Sequence, residues 1–126
     1  MDVTPLVKQD AQIIQSYDDG RFRVSGTVYD GAVIVYPAAT YQWDVNGAFE
    51  ELGYEDFRPL IDKSDDLDVV LLGCGAKMAM PPAQLKRDLR AAGLSIEPMD
   101  TGAACRTFNV LIAEGRRVAA AILPFL

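Results

Sequence analysis

The chain has 126 residues, half of them hydrophobic, with a net charge of −6, two cysteines and no histidine. That length fits a single domain which buries roughly two thirds of its unfolded surface and needs no staples. The composition excludes a disordered chain, the acidic balance without a basic stripe argues against nucleic acid, and the absence of histidine removes Ser-His and Cys-His nucleophile pairs and most zinc sites.

Residues 1–126 read as one domain, with 1–11 as a flexible N-terminus. The opening MDVTPLVKQDAQ lacks the basic start and the apolar run of an export signal, and its acids argue against a mitochondrial presequence. No apolar run is long enough to span a bilayer. A cytoplasmic protein without a transmembrane segment is expected, as a monomer or weak homodimer.

Ile13 and Ile14 head a first strand, and residues 17–20, Tyr-Asp-Asp-Gly, supply a turn. Phe22 and Val24 then share one face of a second strand, opposite Arg21 and Arg23. Residues 28–29 and 32–36 flank Asp30-Gly31, a strong hairpin signal. Pro37 ends that run, and the alternation of Tyr41, Trp43 and Val45 predicts another strand. Residues 12–46 thus read as an antiparallel set.

The second half changes character. Residues 54–63 form a short helical segment with Phe57, Leu60 and Ile61 on one side. Residues 68–72, DVVLL, are apolar on both faces, as a buried central strand requires. Pro82 suits a first helical turn, Leu85 and Leu89 follow at helical spacing, and Gly93 with Leu94 ends that helix. Residues 95–98 predict a strand. Thr101 caps a second helix with Ala104, Phe108, Leu111 and Ile112 on its apolar face. Residues 118–123 close the chain as a strand. Alternating strands and helices imply parallel pairing through right-handed crossovers.

Gly73-Cys74-Gly75 follows the buried strand as a phosphate loop would. A dinucleotide fingerprint needs a third glycine where Met78 stands, and no Gly-Lys-Ser or Gly-Lys-Thr is present, so the loop reads as a tight exit despite the nearby Lys77. No cofactor and no metal are expected. If strands 68–72 and 95–98 are parallel neighbours, their carboxyl ends bring Gly73, Cys74 and Gly75 against Asp100 and Thr101. Free amides there favour an anion, and Arg106 adds positive charge. Cys74 and Cys105 fall near the same edge, where a thiol either gains thiolate character or packs as a small hydrophobe; the second is the commoner behaviour. The acids around Tyr54, and Asp62, Asp65, Asp66 and Asp68, read as solvated faces without the spacing of a calcium loop.

The stretch from Met99, MDTGAACRTFNVLIAEGRRVAAAILP, resembles the C-terminal signature of a small-domain family. That family includes the mitochondrial complex I assembly factor 3 and a mammalian adipogenesis-associated domain protein, besides small bacterial and archaeal proteins. The pieces that carry the resemblance are Asp100-Thr101, Ala104-Cys105, Thr107-Phe108-Asn109, Glu114-Gly115-Arg116 and the closing strand before Pro124. Gly73-x-Gly75 and the segment around Gly31 extend it over nearly the whole chain. Cys74 departs from it, standing where threonine is frequent. The resemblance implies a three-layer β/β/α domain with a mixed central sheet, two main helices on one side and an antiparallel set on the other.

It transfers no reaction. It implies a non-enzymatic interaction domain with a protein partner, in respiratory-complex assembly. The alternative is a small-molecule or anion binder, or an enzyme, using the pocket of Gly73, Cys74, Gly75, Asp100, Thr101 and Arg106. Asn109, an amide on an apolar helix, is expected to clasp the glycine loop or contact a ligand. Glu114 and Arg116 are expected to pair around the turn into the last strand.

Overall fold

A computed structural model describes residues 11–46 and 48–124. The expectation of a flexible N-terminus falls, apart from Ala11, outside the described residues.

β1 (Ile14–Asp18), β2 (Arg21–Val24) and β3 (Thr27–Asp30) form an antiparallel three-stranded sheet. Two-residue turns at Asp19-Gly20 and Ser25-Gly26 join them. Both residues of each pair have positive φ, the backbone whose twist matches a hairpin. Phe22 and Val24 point inward, and Arg21 and Arg23 are exposed, as the alternation requires.

Asp30-Gly31 is not a hairpin turn. β3 stays paired to β2, whereas the next strand, β4 (Val33–Val35), pairs with β5 (Thr40–Gln42) and with β8 (Val118–Ile122) in a second sheet. The physical reason lies in β4 itself. Val33, Ile34 and Val35 are all buried, and a strand apolar on both faces needs a sheet covered on both faces. Gly31 (φ +81) is where the chain changes sheets.

The second sheet has five strands in the order β5-β4-β8-β6-β7, with β6 (Val69–Gly73) and β7 (Ile96–Met99). β6 runs parallel to β7 and β8, and β8 runs antiparallel to β4, so the sheet is mixed. Pro98 sits in β7, an edge strand, where a missing N–H is tolerated. Among the described residues three α-helices complete the fold: α1 (Arg58–Ile61), entered through a 3₁₀ turn at Tyr54–Phe57, α2 (Ala83–Ala91) and α3 (Thr101–Ala113).

The central sheet separates two cores. On one face Ile34, Tyr36, Val70, Leu72 and Ala121 meet Phe57, Leu60 and Leu89 from the α1 and α2 side. On the other, Val33, Val35, Leu71 and Ile122 meet α3 through Ala104 and Phe108, and the small sheet through Phe22 and Val24. The main helices therefore lie on opposite faces of the sheet, not on one side. The strand order explains why. The chain moves outward from β6 to β7 over α2, then back past β6 to β8 over α3, and right-handed crossovers in opposite directions need opposite faces.

α2 and α3 end alike. Leu94 N–H donates to Leu89 O (2.9 Å) and Gly93 N–H to Arg90 O (3.0 Å); Arg116 N–H donates to Leu111 O (3.0 Å) and Gly115 N–H to Ile112 O (2.9 Å). Both are double-bonded glycine caps of the Schellman type. Among the described residues Glu114 and Arg116 form no ion pair. Arg117 takes that role, its Nη2 lying 2.6 Å from Asp68 Oδ1 at the entrance of β6, and it also holds the Asp68 carboxyl below the usual range.

Candidate functional site

The crevice at the carboxyl ends of β6 and β7 is the topological switch point of this sheet, because the connections leaving the two strands cover opposite faces. The structure brings Gly73, Cys74, Gly75, Asp100 and Thr101 together there. The amides of Cys74, Gly75 and Thr101, which an anion would use, already have partners. Cys74 N–H donates to Met99 O (2.8 Å), Thr101 N–H to Gly75 O (2.8 Å) and Leu123 N–H to Gly73 O (3.0 Å). Gly75 N–H donates to Thr101 Oγ1 (2.9 Å), and that hydroxyl donates to Leu123 O (2.5 Å).

Thr101 is therefore not the helix cap. Asp100 is, its Oδ1 accepting from Ala103 N–H at 2.8 Å, which frees the fully buried Thr101 hydroxyl to tie β6, α3 and the end of β8 into one knot. Gly73 is the close approach within it. A Cβ there would lie 2.8 Å from Ile122 Cγ2 and 3.3 Å from Ile122 Cα.

Arg106 folds back beside Gly102, in the first turn of α3. It is exposed, and its Nη1 donates to the Tyr17 hydroxyl (2.9 Å) across from α3 to β1. Asn109 does clasp, but to the small sheet and not to the glycine loop. Its Oδ1 accepts from Ile14 N–H and its Nδ2 donates to Ile14 O, both at 2.9 Å. The side-chain amide thus replaces a neighbouring strand at a position where β1 bulges, between Ile14 and Ser16. The two cysteines are buried in different cores, Cys74 on the α2 face and Cys105 on the α3 face. Burial pushes both thiols up, Cys105 to about 12, which opposes thiolate chemistry.

A second feature lies at the opposite end of the sheet. Between the β4–β5 edge and α1 runs a groove with Ile34 and Tyr36 beneath it and Tyr41, Pro59, Asp62 and Lys63 along its sides, about 380 Å³ in volume. A second hollow of about 420 Å³ shares Tyr36, Tyr41 and Lys63 and continues past Ala38 to Asp66 and Leu67. Tyr36 is 6 % exposed, and among the described residues its buried hydroxyl has no hydrogen-bond partner. Burial first, and then Tyr41 and Asp62, push that phenol up to about 12, so it stays a protonated donor. The Tyr41 ring meets it edge-on at 5.9 Å, and the Lys63 ammonium lies 5.3 Å from the Tyr36 ring centre.

Tyr36 and the groove were not legible as a site. Tyr36 looks like the end of a strand before Pro37, and Asp62-Lys63 like a polar helix end. Twenty-odd residues of intervening chain separate them, and no local spacing rule connects the two. Among the described residues no cluster of three or more Cys, Asp or Glu is placed to hold a metal ion, and no helix is long and apolar enough to cross a membrane.

Residues 14–123 match the family described as Protein of unknown function (DUF498/DUF598). An uncharacterised protein of Rhodobacter capsulatus is 38% identical over 111 residues, covering 88% of this chain and 83% of that protein. NADH dehydrogenase (ubiquinone) 1 alpha subcomplex assembly factor 3 of Danio rerio is 33% identical over 112 residues, 89% of this chain. The match spans 64% of that relative, less than two thirds of its length. The solved structure of an outer membrane protein from Bartonella henselae superposes with a TM-score of 0.83 at 34% identity, covering 92% of this chain and 97% of that one. With its two sheets, three helices and a match across nearly the whole chain, this protein belongs to the DUF498/DUF598 family, which takes in both complex I assembly factors and uncharacterised bacterial proteins.

Proposed function

We propose that this chain is a non-enzymatic interaction domain of the bacterial cytoplasm that supports assembly of a complex I-like respiratory enzyme through protein–protein contacts. The observation that carries the reading is the similarity to assembly factor 3 over 89% of the chain. Two features support the non-enzymatic part. Both thiols are buried with raised pKa values, and the Cys74, Gly75 and Thr101 amides at the sheet's switch point already have partners. We accordingly assign Gly73, Gly75, Asp100, Thr101 and Asn109 to holding the fold, and Arg106 to anchoring α3 on β1.

The test is deletion of the gene in its source cell, with membrane NADH:quinone oxidoreductase activity and the assembled complex measured, alongside affinity purification of the tagged chain. Loss of assembled complex and recovery of its subunits with the tag are expected. Unchanged complex levels with no respiratory subunit recovered would refute the reading. A thermal-shift titration with inorganic phosphate tests the assignment of the switch point: a rise in Tm abolished by Arg106→Ala would return it to ligand binding.

A further inference from the structure

We infer that the groove between β5 and α1 docks an extended segment of a partner protein, one that carries an apolar side chain next to a lysine or arginine. This rests on the interaction reading above and names where, and with what chemistry, the interaction occurs.

The extended form follows from the sheet edge. Among the described residues β5 pairs on one side only, with β4. Tyr36 N–H donates to Ala39 O and Trp43 N–H to Ala32 O, so the peptide groups of Ala39, Tyr41 and Trp43 face β4. By antiparallel alternation those of Thr40 and Gln42 face outward, where an added strand would pair. The Thr40 hydroxyl is itself held by Gln12 Oε1 at 2.7 Å, which fixes this end of the edge.

The apolar side chain follows from what lies beside that edge. Tyr41, 54 % exposed, flanks both hollows on the same side of the sheet as Tyr36. An exposed tyrosine next to a preformed hollow is the residue type on which interface energy concentrates. The two hollows fall within or near the volume range of about 300–1,000 Å³ found for ligand clefts.

The basic neighbour follows from charge. Asp62 and Asp66 line the hollows, and among the described residues neither joins an ion pair. Lys63, which lines both hollows, is held against the Tyr36 ring, and Arg58 and Arg117, which also act on Asp62 and Asp66, are paired with Glu55 and Asp68. The surplus is negative, as it is for the chain, so a basic segment is complementary and an acidic one is repelled. Finally, the Tyr36 hydroxyl supplies a buried donor that nothing among the described residues uses. A docked segment reaches it where the Tyr41 and Lys63 side chains over it part, and a carbonyl placed there would satisfy it.

The experiment titrates the ¹⁵N-labelled full chain with the acetylated, amidated hexapeptide RVRLRV and with its charge-reversed counterpart EVELEV. RVRLRV is expected to shift the amides of Thr40, Gln42 and Lys63, and EVELEV to leave them in place. Tyr41→Ala, and separately the pair Asp62→Asn with Asp66→Asn, should each weaken binding of RVRLRV at least about tenfold, the scale of a hot-spot contact. These positions are on the surface, and the unchanged spectrum of the free variants verifies the fold. Equal response to both peptides, shifts confined to another surface, no shifts at all, or undiminished binding by Tyr41→Ala would each overturn the inference. The two proposals separate in the deletion strain. If the Tyr41→Ala chain restores the respiratory complex fully, the groove inference falls and the assembly reading stands. If RVRLRV binds at the groove but deletion leaves the complex untouched, the reverse holds.

Discussion

Tyr36→Phe removes one oxygen from the core and leaves the ring in place. The edge-on contact with Tyr41 and the Lys63 ammonium over the ring both depend on the ring, so they persist. What disappears is a buried hydroxyl without a hydrogen-bond partner, a group whose burial costs about 1–3 kcal/mol on mutational scales. Taking the low end, because the groove lies alongside, the variant should gain about 1 kcal/mol. For a domain of this size that raises Tm by roughly 3–5 °C. The alkaline limb gives a second readout. In the folded chain the Tyr36 phenol titrates near 12, against 10 for the ordinary phenol. The folded state therefore keeps its proton after the unfolded state has lost it. The stability this contributes is complete below pH 10 and lost as pH rises from 10 toward 12. The phenylalanine variant lacks that term, so its advantage widens above pH 10. Cys105 titrates in an overlapping window in both proteins and cancels in the difference. Urea denaturation at pH 7 and along a series from pH 9 to 12 measures both effects. A variant less stable by 0.5 kcal/mol or more at pH 7, or two parallel pH curves, would refute the reasoning, since either means the hydroxyl is satisfied in the folded state.

Four further outcomes follow from the geometry. Gly73→Ala should cost about 1–3 kcal/mol in urea denaturation, because its Cβ meets Ile122 at 2.8 Å and part of that contact is backbone. Thr101→Val should cost about 2–4 kcal/mol by orphaning both the Gly75 amide and the Leu123 carbonyl, whereas Thr101→Ser, which keeps the hydroxyl, should cost less than half as much. Asn109→Ala should raise hydrogen exchange at the Ile14 amide well before global unfolding, loosening β1 with a local loss of about 1–2 kcal/mol. Thiol labelling with a disulfide reagent at pH 8 should be slow in the native protein and fast in urea, since both sulfurs are buried and burial raises both pKa values; rapid native labelling of Cys105 would contradict this.

Local pattern carried much of this fold. DVVLL at 68–72 showed a strand covered on both faces, Gly93-Leu94 the end of α2, and the alternation of Phe22 and Val24 the inner face of β2. The failures share one cause, competition decided at long range. Asp30-Gly31 has hairpin chemistry, yet the three buried residues of β4 outweigh it. Thr101 and Asp100 are both good caps. Asp100 caps because the Thr101 hydroxyl is taken by partners 22 and 26 residues away. Asn109 stands out in the sequence as an amide that needs partners, but Ile14 lies 95 residues off and no spacing names it. Placing the helices on opposite faces needed the strand order, in which β8 returns beside β6 and not beyond β7.

The same strand order bears on function. An open α/β sheet usually leaves its switch-point crevice to a ligand. Here the exit of β8 carries Leu123 past that crevice, and its N–H and carbonyl bind Gly73 O and the Thr101 hydroxyl. Even a methyl group at Gly73 would collide with the neighbouring strand. The knot thus trades the fold's usual ligand position for a rigid sheet end. Among the described residues, the polar groups left unspent lie at the other side of the molecule, where β5 pairs on one side only and the Tyr36 hydroxyl has no partner. An unsatisfied polar group inside a small core is a local inconsistency of the kind that functional sites carry. Tyr36→Phe should therefore separate the two properties: a chain more stable than the wild type that binds RVRLRV less well. A variant both more stable and equally good at binding would detach the hydroxyl from docking, and leave Tyr41 and the two aspartates to account for it.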